Sequence, residues 1–483
     1  MMKKSSIWLD NIKYKESEKL LNDSSFDVLI IGGGITGISI AYNLINSGLK
    51  VCLVEKNKIG HGVTSKTTGK ITYLQELIYS NLKHTYDTKT AKLYLDSQMD
   101  AINIIKNIVD ENNIDCNLEK VSSYVFTNDR KEIKKIKEEK GLLEKFKVKV
   151  YEGFKLKDNT SVKYCISVSD TYVFHPIKYL IKLKEILIKN GISIYENTKI
   201  LSVEKKDTYI SKTDTNTIKS KVVVFATHYP YFILPLMLPI KTYLEKSYLS
   251  AYKVDKNYKY SLITSSNPCV STRYLDTGDN IYKMVLTDSH NIAFKNNDLK
   301  HFENLLDKLS SKPSFIWSNK DIISPDRLPY IGKISDNMYI ATAYNTWGMT
   351  NSTIAGKIIS DMILLRENKY LSLFDPKRSI KPIYKLPINV FSNTKSYISS
   401  KINKEKSWYK NVRFENINGD SVGIYKSGKK EYIVYNKCPH LKCSLIFNET
   451  EKTWDCPCHG SRFDIYGKCI EGPSNYDITY KDV

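Results

Sequence analysis

Runs of consecutive apolar residues alternate along this chain with stretches of helical period, and their order predicts an α/β unit followed by a small β unit. Asp27-Val28-Leu29-Ile30-Ile31 is apolar at successive positions, the pattern of a parallel strand covered on both faces. It enters Gly32-Gly33-Gly34-Ile35-Thr36-Gly37, a helical segment reaching Asn46, and a second buried run, Val51-Cys52-Leu53-Val54-Glu55. Leu95, Met99, Ile102, Ile105 and Val109 recur at helical spacing and predict a helix packed along one stripe. Residues 177–188 predict another helix, 192–196 a strand, 222–228 a buried strand ending in small residues, and 353–365 a further helix. Pro376, Pro382 and Pro387 then punctuate the chain, which marks 373–388 as a linker. Beyond it, the alternating segments 421–425 and 431–435 predict a small β domain.

At 483 residues the chain is long enough for about three domain-sized units, or two with one large. Its net charge of +21 suggests an anionic partner, but the lysines are scattered, and residues 130–140 also carry Glu132, Glu138 and Glu139, the composition of a solvated helix face. No nucleic-acid motif accompanies the charge, so no nucleic-acid partner is expected; docking of an acidic redox protein fits better. The longest apolar run, Phe232 to Ile240, contains two prolines and is too short to span a bilayer. Neither a signal peptide nor an integral membrane segment is recognisable, and a cytoplasmic location is expected.

The first apolar strand, glycine loop, helix and second strand make a complete dinucleotide-binding fingerprint. Gly32 permits the tight turn, Gly34 the close approach of a pyrophosphate to the helix N-terminus, and Gly37 the packing of helix on strand. Gly33, Ile35 and Thr36 complete the loop, while Glu55, with Lys56 beside it, ends the second strand where ribose hydroxyls would lie. The fingerprint by itself fits NAD or FAD.

Two boxes near the C-terminus carry a different chemistry. Cys438-Pro439-His440 and Cys456-Pro457-Cys458-His459 supply one thiolate and one imidazole each, and five of the nine cysteines lie in the last 46 residues. A structural zinc site uses the same ligand types, but usually as paired knuckles. Two Cys on one iron and two His on the other is the ligand logic of a Rieske [2Fe-2S] cluster, with Cys438, His440, Cys456 and His459 as ligands.

These boxes, with Gly460-Ser461 and Gly472-Pro473, resemble the Rieske family, in which the extra cysteines, here Cys443 and Cys458, form a disulfide. The high-potential members carry a tyrosine where this chain has Phe463; losing that donor to sulfur implies an intermediate potential within a range of about −150 to +300 mV. The N-terminal fingerprint is followed by the Gly/Thr-rich segment 60–70, and with the strand reaching Thr227 and the segment around Gly348, Met349 and Thr350 it resembles the D-amino-acid oxidase and glycine oxidase superfamily. That resemblance decides for FAD and adds Thr67, Thr68, Thr227, Gly348, Met349 and Thr350 to the expected cofactor contacts. It implies an N-terminal extension (1–25), an α/β FAD-binding Rossmann-like domain with an inserted α+β substrate domain (26–372), the linker, and a small all-β Rieske domain (389–483).

The implied function is oxidation of a small amine- or amino-acid-like substrate by hydride transfer to FAD, with electrons leaving singly through the cluster to an external acceptor, as a dehydrogenase. A non-catalytic electron-transfer or redox-sensing protein is the alternative. Only 24 residues follow His459, none a histidine, so a mononuclear oxygenase iron is not expected downstream of the cluster. No catalytic residue can be assigned. Arg273 and Arg327 are candidates for a substrate carboxylate, and His61, His175 and His228 for positions near a flavin; Cys52, Cys116, Cys165 and Cys269 read as packing residues.

Overall fold

The computed structural model describes residues 2–156, 158, 160–229, 241–266, 269–292, 298–379, 381 and 411–480. The apolar run 232–240 and most of the second half of the expected linker lie outside the described residues.

The N-terminal unit has two large sheets. The first is eight-stranded, and at its centre Ser24–Ile31 lies parallel to Val51–Val54 on one side and to Thr217–Phe225 on the other. Met338–Thr342 extends it in parallel, and Tyr330–Ser335 closes that edge antiparallel. The helix Ile35–Asn43 packs against Gly348–Ile363, a contact that brings the first and last segments of the unit together. Gly356 permits this approach: a Cβ there would lie 2.7 Å from the Ser39 Cβ.

The second, nine-stranded sheet is built mainly from antiparallel strands. Its edge strand Phe315–Ile323 pairs with Tyr243–Val254, followed by Ile281–Asn291 and Ser271–Asp276. The helix Thr88–Glu111 forms as its periodicity predicts, with Leu95, Ile102, Ile105 and Val109 buried. Met99, expected in that stripe, is 38 % exposed, because the buried face is centred on Tyr94, Gln98 and Ala101. The expected solvated face at 130–140 also needs correction. Glu139 is fully buried and accepts the backbone N–H groups of Tyr79 and Ser80 at 2.9 and 2.7 Å, satisfying the free end of the helix Ile78–Thr85.

The first 23 residues wrap this unit. Trp8 is fully buried, and Glu196 accepts Ser17 N–H and Ile59 N–H at 2.6 Å each while pairing with Lys184 at 2.5 Å and with the Tyr14 hydroxyl. At the other end, Phe374 is buried and Arg378 pairs with Asp326 at 2.8 Å, so the chain through 379 packs on this unit.

The C-terminal unit is all β. Val412–Ile417, Asp420–Ser427 and Lys430–Tyr435 form one antiparallel sheet, and Ile446–Asn448, Thr453–Asp455, Arg462–Phe463 and Cys469–Glu471 a second. Trp454 and Phe463 lie at its core. Gly423 lies against the Trp454 ring, 2.6 Å from where a Cβ would stand.

Candidate functional site: two cavities and a Cys/His centre

A cavity of about 190 Å³ opens at the C-terminal ends of the central parallel strands, where ligands of open α/β sheets bind. Gly32, Gly34, Ile35, Thr36, Glu55, Lys56, Thr67, Thr227, Gly348 and Met349 line it, all expected from sequence. Gly32 has φ +112°, and a Cβ there would meet the Ala226 carbonyl oxygen at 2.5 Å, so only glycine holds this turn. The other expected residues stand one layer back. Gly33 donates its N–H to Glu55 Oε2 at 2.8 Å, and a Cβ on Gly37 would lie 1.9 Å from the Gly32 oxygen. Thr350 accepts from Gln75 Nε2 at 3.2 Å, and Thr68 lines the neighbouring cavity. Gly34 supplies no side-chain cap to the helix starting at Ile35, whose first N–H donates to Thr64 Oγ1 at 3.2 Å, and buried His228 Nε2 and Asn319 Oδ1 face the cavity without hydrogen-bond partners. A dinucleotide with a polar ring system fits that donor set.

Residues 66–69 border both cavities and are held by three distant side chains. Trp317 Nε1 donates to Lys66 O at 3.0 Å and Trp8 Nε1 to Thr67 O at 2.6 Å. Arg273 Nη1 donates to Thr68 O and Gly69 O at 3.0 Å each. Arg273 is 1 % exposed and spends its remaining contacts on Phe174 O and Tyr274 O, so it braces this segment and does not face a ligand. His175 caps the helix Pro176–Lys189 and packs on Trp8, away from both cavities; His61 and His228 do line the first.

The second cavity, about 530 Å³, adjoins the first through Thr346, Gly348 and Met349. Arg327, the other expected carboxylate binder, faces it together with Lys70, Glu76, Glu245 and Asp321. Lys70 is engaged, donating to Leu262 O at 2.7 Å and Ser271 Oγ at 2.6 Å, and burial lowers its pKa to about 7. Burial likewise raises Asp321 to about 7.

In the C-terminal unit the two boxes form facing loops. Cys438 N–H donates to Cys443 O at 2.8 Å and Cys456 N–H to Ser461 O at 2.7 Å, while a Cys443–Cys458 disulfide joins the loops. The Cys438 and Cys456 thiols lie within hydrogen-bonding reach of each other, and the His440 and His459 rings stand 5.0 Å apart. Buried His459 Nδ1 has no hydrogen-bond partner, and burial lowers His459 to about 4, keeping it neutral. Two thiols and two neutral imidazoles with an orphaned nitrogen fit a cluster held by Cys438, His440, Cys456 and His459. Cys443, Cys456 and Cys458 also bring their sulfurs within 4.8 Å of one another, but two of these are consumed by the disulfide. Ser461 contacts the Cys438 sulfur and accepts Ser474 N–H at 2.9 Å.

The two units meet at the first cavity. Gly460, directly after His459, lines it with Ile470, Glu471 and Gly472. Lys320 Nζ donates to Gly460 O at 2.7 Å, Lys56 Nζ to Ile470 O at 3.1 Å, and Lys66 pairs with Glu471 at 3.5 Å. Lys246 pairs with Asp455 at 3.4 Å and Glu451 at 3.7 Å, and Arg462 reinforces both acids from its own unit. The strand Tyr243–Val254 serves both places: Tyr243, Glu245 and Ser247 face the second cavity, while Leu244 and Lys246 on the opposite face meet the C-terminal unit. None of Lys246, Asn319 or Lys320 stood out in the sequence, because two strands distant in the chain from the C-terminal unit bring them here.

Fold and site together define a two-cofactor flavoprotein with an iron-sulfur unit. The chain belongs to the FAD dependent oxidoreductase family, whose model matches residues 27–362, and residues 400–480 match the Rieske [2Fe-2S] domain. It is 32 % identical over 496 residues to YhfW of Bacillus subtilis (strain 168), described as a Rieske 2Fe-2S iron-sulfur protein, covering 97 % of this chain and 95 % of that protein. The gamma-glutamylputrescine oxidoreductase of Escherichia coli (strain K12) is 22 % identical, covering 73 % of this chain and 86 % of its own. Glycine oxidase from Geobacillus kaustophilus shares the fold, with a TM-score of 0.62 at 16 % identity, covering 74 % of this chain and 99 % of that one. The N-terminal domain thus binds FAD and the C-terminal domain a [2Fe-2S] cluster. Among the described residues no helix is long and apolar enough to cross a membrane.

Proposed function

We propose that this chain is a dehydrogenase that oxidises a small amine- or amino-acid-like substrate by hydride transfer to FAD and passes the electrons singly through the cluster to an external one-electron acceptor. FAD takes a hydride as an electron pair, and the cluster carries one electron at a time. In a balanced reaction the substrate C–H loses a hydride and the nitrogen loses a proton as C=N forms; the two electrons then reduce two equivalents of acceptor.

The observation that carries this reading is the shared wall: Gly460, next to the proposed ligand His459, lines the same cavity as Gly32, Thr36 and Met349. In this reading Gly32, Gly34 and the N-terminus of the helix Ile35–Asn43 hold the pyrophosphate, Glu55 the ribose, and Lys66, Thr67 and Gly348–Met349 border the ring system. The second cavity receives the substrate, with Arg327 for a carboxylate, and Thr346 to Met349 form the border where substrate and cofactor meet. The substrate class is supported by the similarity to the gamma-glutamylputrescine oxidoreductase of Escherichia coli and by the fold shared with glycine oxidase. The protein is proposed to be cytoplasmic, with an acidic redox protein as its external acceptor.

Anaerobic titration with amines and amino acids, followed in the visible region, tests it. Flavin bleaching followed by the reduced-cluster signal is expected. Bleaching that never reaches the cluster would sink the relay, and a protein whose flavin no such substrate reduces would favour the redox-sensor alternative.

A further inference from the structure

The second cavity contains charged groups that the protein itself leaves unused. Lys70 is committed to Leu262 and Ser271, Asp321 accepts from Asn319 Nδ2 at 2.9 Å, and His290 Nδ1 lies 3.2 Å from Asp288 O. Glu76, Glu245 and Arg327 differ: none of their side chains makes a hydrogen bond or ion pair to a described residue, although all three line one cavity of about 530 Å³. Arg327 senses both acids without touching them. Burial works against its charge, but Tyr243, Glu76 and Glu245 hold the guanidinium above its ordinary pKa. Burial raises both glutamates, the direction expected of carboxylates that lack a close cation.

Two further observations indicate a ligand. The Ser247 hydroxyl, on the same strand face as Glu245, is 4 % exposed, lines the cavity and has no hydrogen-bond partner. Glu76 and Arg327 also occupy left-handed backbone, φ +56° and +62°, a conformation long side chains rarely adopt and one that clusters at binding sites. Counting every acid and base that lines it, Glu76, Glu245 and Asp321 against Lys70 and Arg327, the cavity carries one negative charge in excess. A simple amino acid, with its carboxylate on Arg327 and its reacting amine at the border with the first cavity, would leave both glutamates without a cation.

We propose that the cavity selects an amine that carries both a carboxylate and a second, distal ammonium group, the carboxylate on Arg327 and the distal ammonium between Glu76 and Glu245, with Ser247 completing the polar wall. This rests on the reading of the second cavity as the substrate site. Glu76 and Glu245 are then specificity residues: they discriminate by the charge at the far end of the substrate, away from the carbon that loses its hydride.

The test uses the full chain loaded with FAD and cluster, kept anaerobic, and three probes matched in length. These are lysine of either hand, norleucine, which lacks the distal amine, and 1,5-diaminopentane, which lacks the carboxylate. Calorimetry is expected to show lysine binding at least ten-fold more tightly than either of the others. Glu76→Gln and Glu245→Gln should each weaken lysine at least five-fold and leave norleucine unchanged, which also shows that the variants are folded. Arg327→Gln should weaken lysine and norleucine alike and spare diaminopentane. Norleucine binding as tightly as lysine, or glutamate variants that weaken both equally, would overturn the charge selection while leaving the amine-oxidising reading intact. Failure of all three probes to bind and to bleach the flavin would overturn both.

Discussion

Lys246 and Lys320 are direct cross-strand partners, and both are almost fully buried, at 3 % and 4 % exposure. Like charges opposite each other destabilise a sheet, and burial adds a desolvation cost. The C-terminal domain offsets this: Asp455 and Glu451 meet Lys246, and Gly460 O meets Lys320. The pair is therefore expected to make the FAD domain depend on the Rieske domain for its stability.

Glu451 is the hinge of this compensation, accepting from Ser318 Oγ at 2.6 Å and Arg462 Nη2 at 2.8 Å while facing Lys246. Glu451→Gln leaves Lys246 and Arg462 to share Asp455, and a loss of about 3 kcal/mol is expected from the cost of breaking a buried pair. Thermal unfolding followed through flavin and cluster absorbance should show both signals moving to lower temperature together. A shift in the cluster signal alone would mean that the domains are energetically independent.

Acid should loosen the same contact. Burial pushes Glu451 up, but Arg462 and Lys246 outweigh it and hold the carboxyl at about 2; Lys66, Lys320 and Arg462 likewise depress Glu471 against its own burial. Groups with depressed folded pKa values contribute stability that is complete above the unfolded value of 4.5 and is lost as pH falls toward 2. Flavin fluorescence, quenched in the bound state, should stay flat from pH 7 to 5 and rise below about 4.5. Glu451→Gln should flatten that rise.

Cys456→Ser is expected to remove the cluster, with iron and acid-labile sulfide falling to background, and to leave FAD bound. The residues of the Rieske domain that wall the FAD cavity are held by Lys320, Lys56 and Lys66, and the loops by the Cys443–Cys458 disulfide, none of which needs iron. The flavin-to-protein absorbance ratio of the purified variant checks this.

The N-terminal extension should matter to the cofactor. Trp8 is fully buried and holds Thr67 O, so Trp8→Ala is expected to cost about 3–5 kcal/mol and to lower FAD content. Trp8→Phe keeps most of the packing and loses only the indole donor, a cost of about 1 kcal/mol. Denaturant midpoints and bound flavin in both variants separate the two contributions.

Much of this site was legible because its chemistry is local in sequence. Gly32 to Gly37 fold as one turn and helix, and Cys438 to Cys458 as two facing loops, so spacing along the chain becomes spacing in space. Arg273 shows where that stops. Its charge suggested a ligand, yet strand pairing from Ser271 to Asp276 delivers it under residues 68–69, where carbonyl oxygens consume its donors. Glu139 sat in a run of charge that reads as solvated, and only the approach of another helix's N-terminus buries it. The lysines at the domain junction were hidden by their abundance, since nothing in composition distinguishes a buried Lys320 from its exposed neighbours.

Gly460 has φ +76°, and a Cβ there would lie 2.7 Å from the Leu244 Cδ1. A single methyl group at that Cα would have to displace the Leu244 side chain and sit on left-handed backbone directly beside His459. In the proposed relay, where tunnelling falls steeply with each added ångström, a bulkier residue at position 460 is expected to slow the passage of electrons between the two centres.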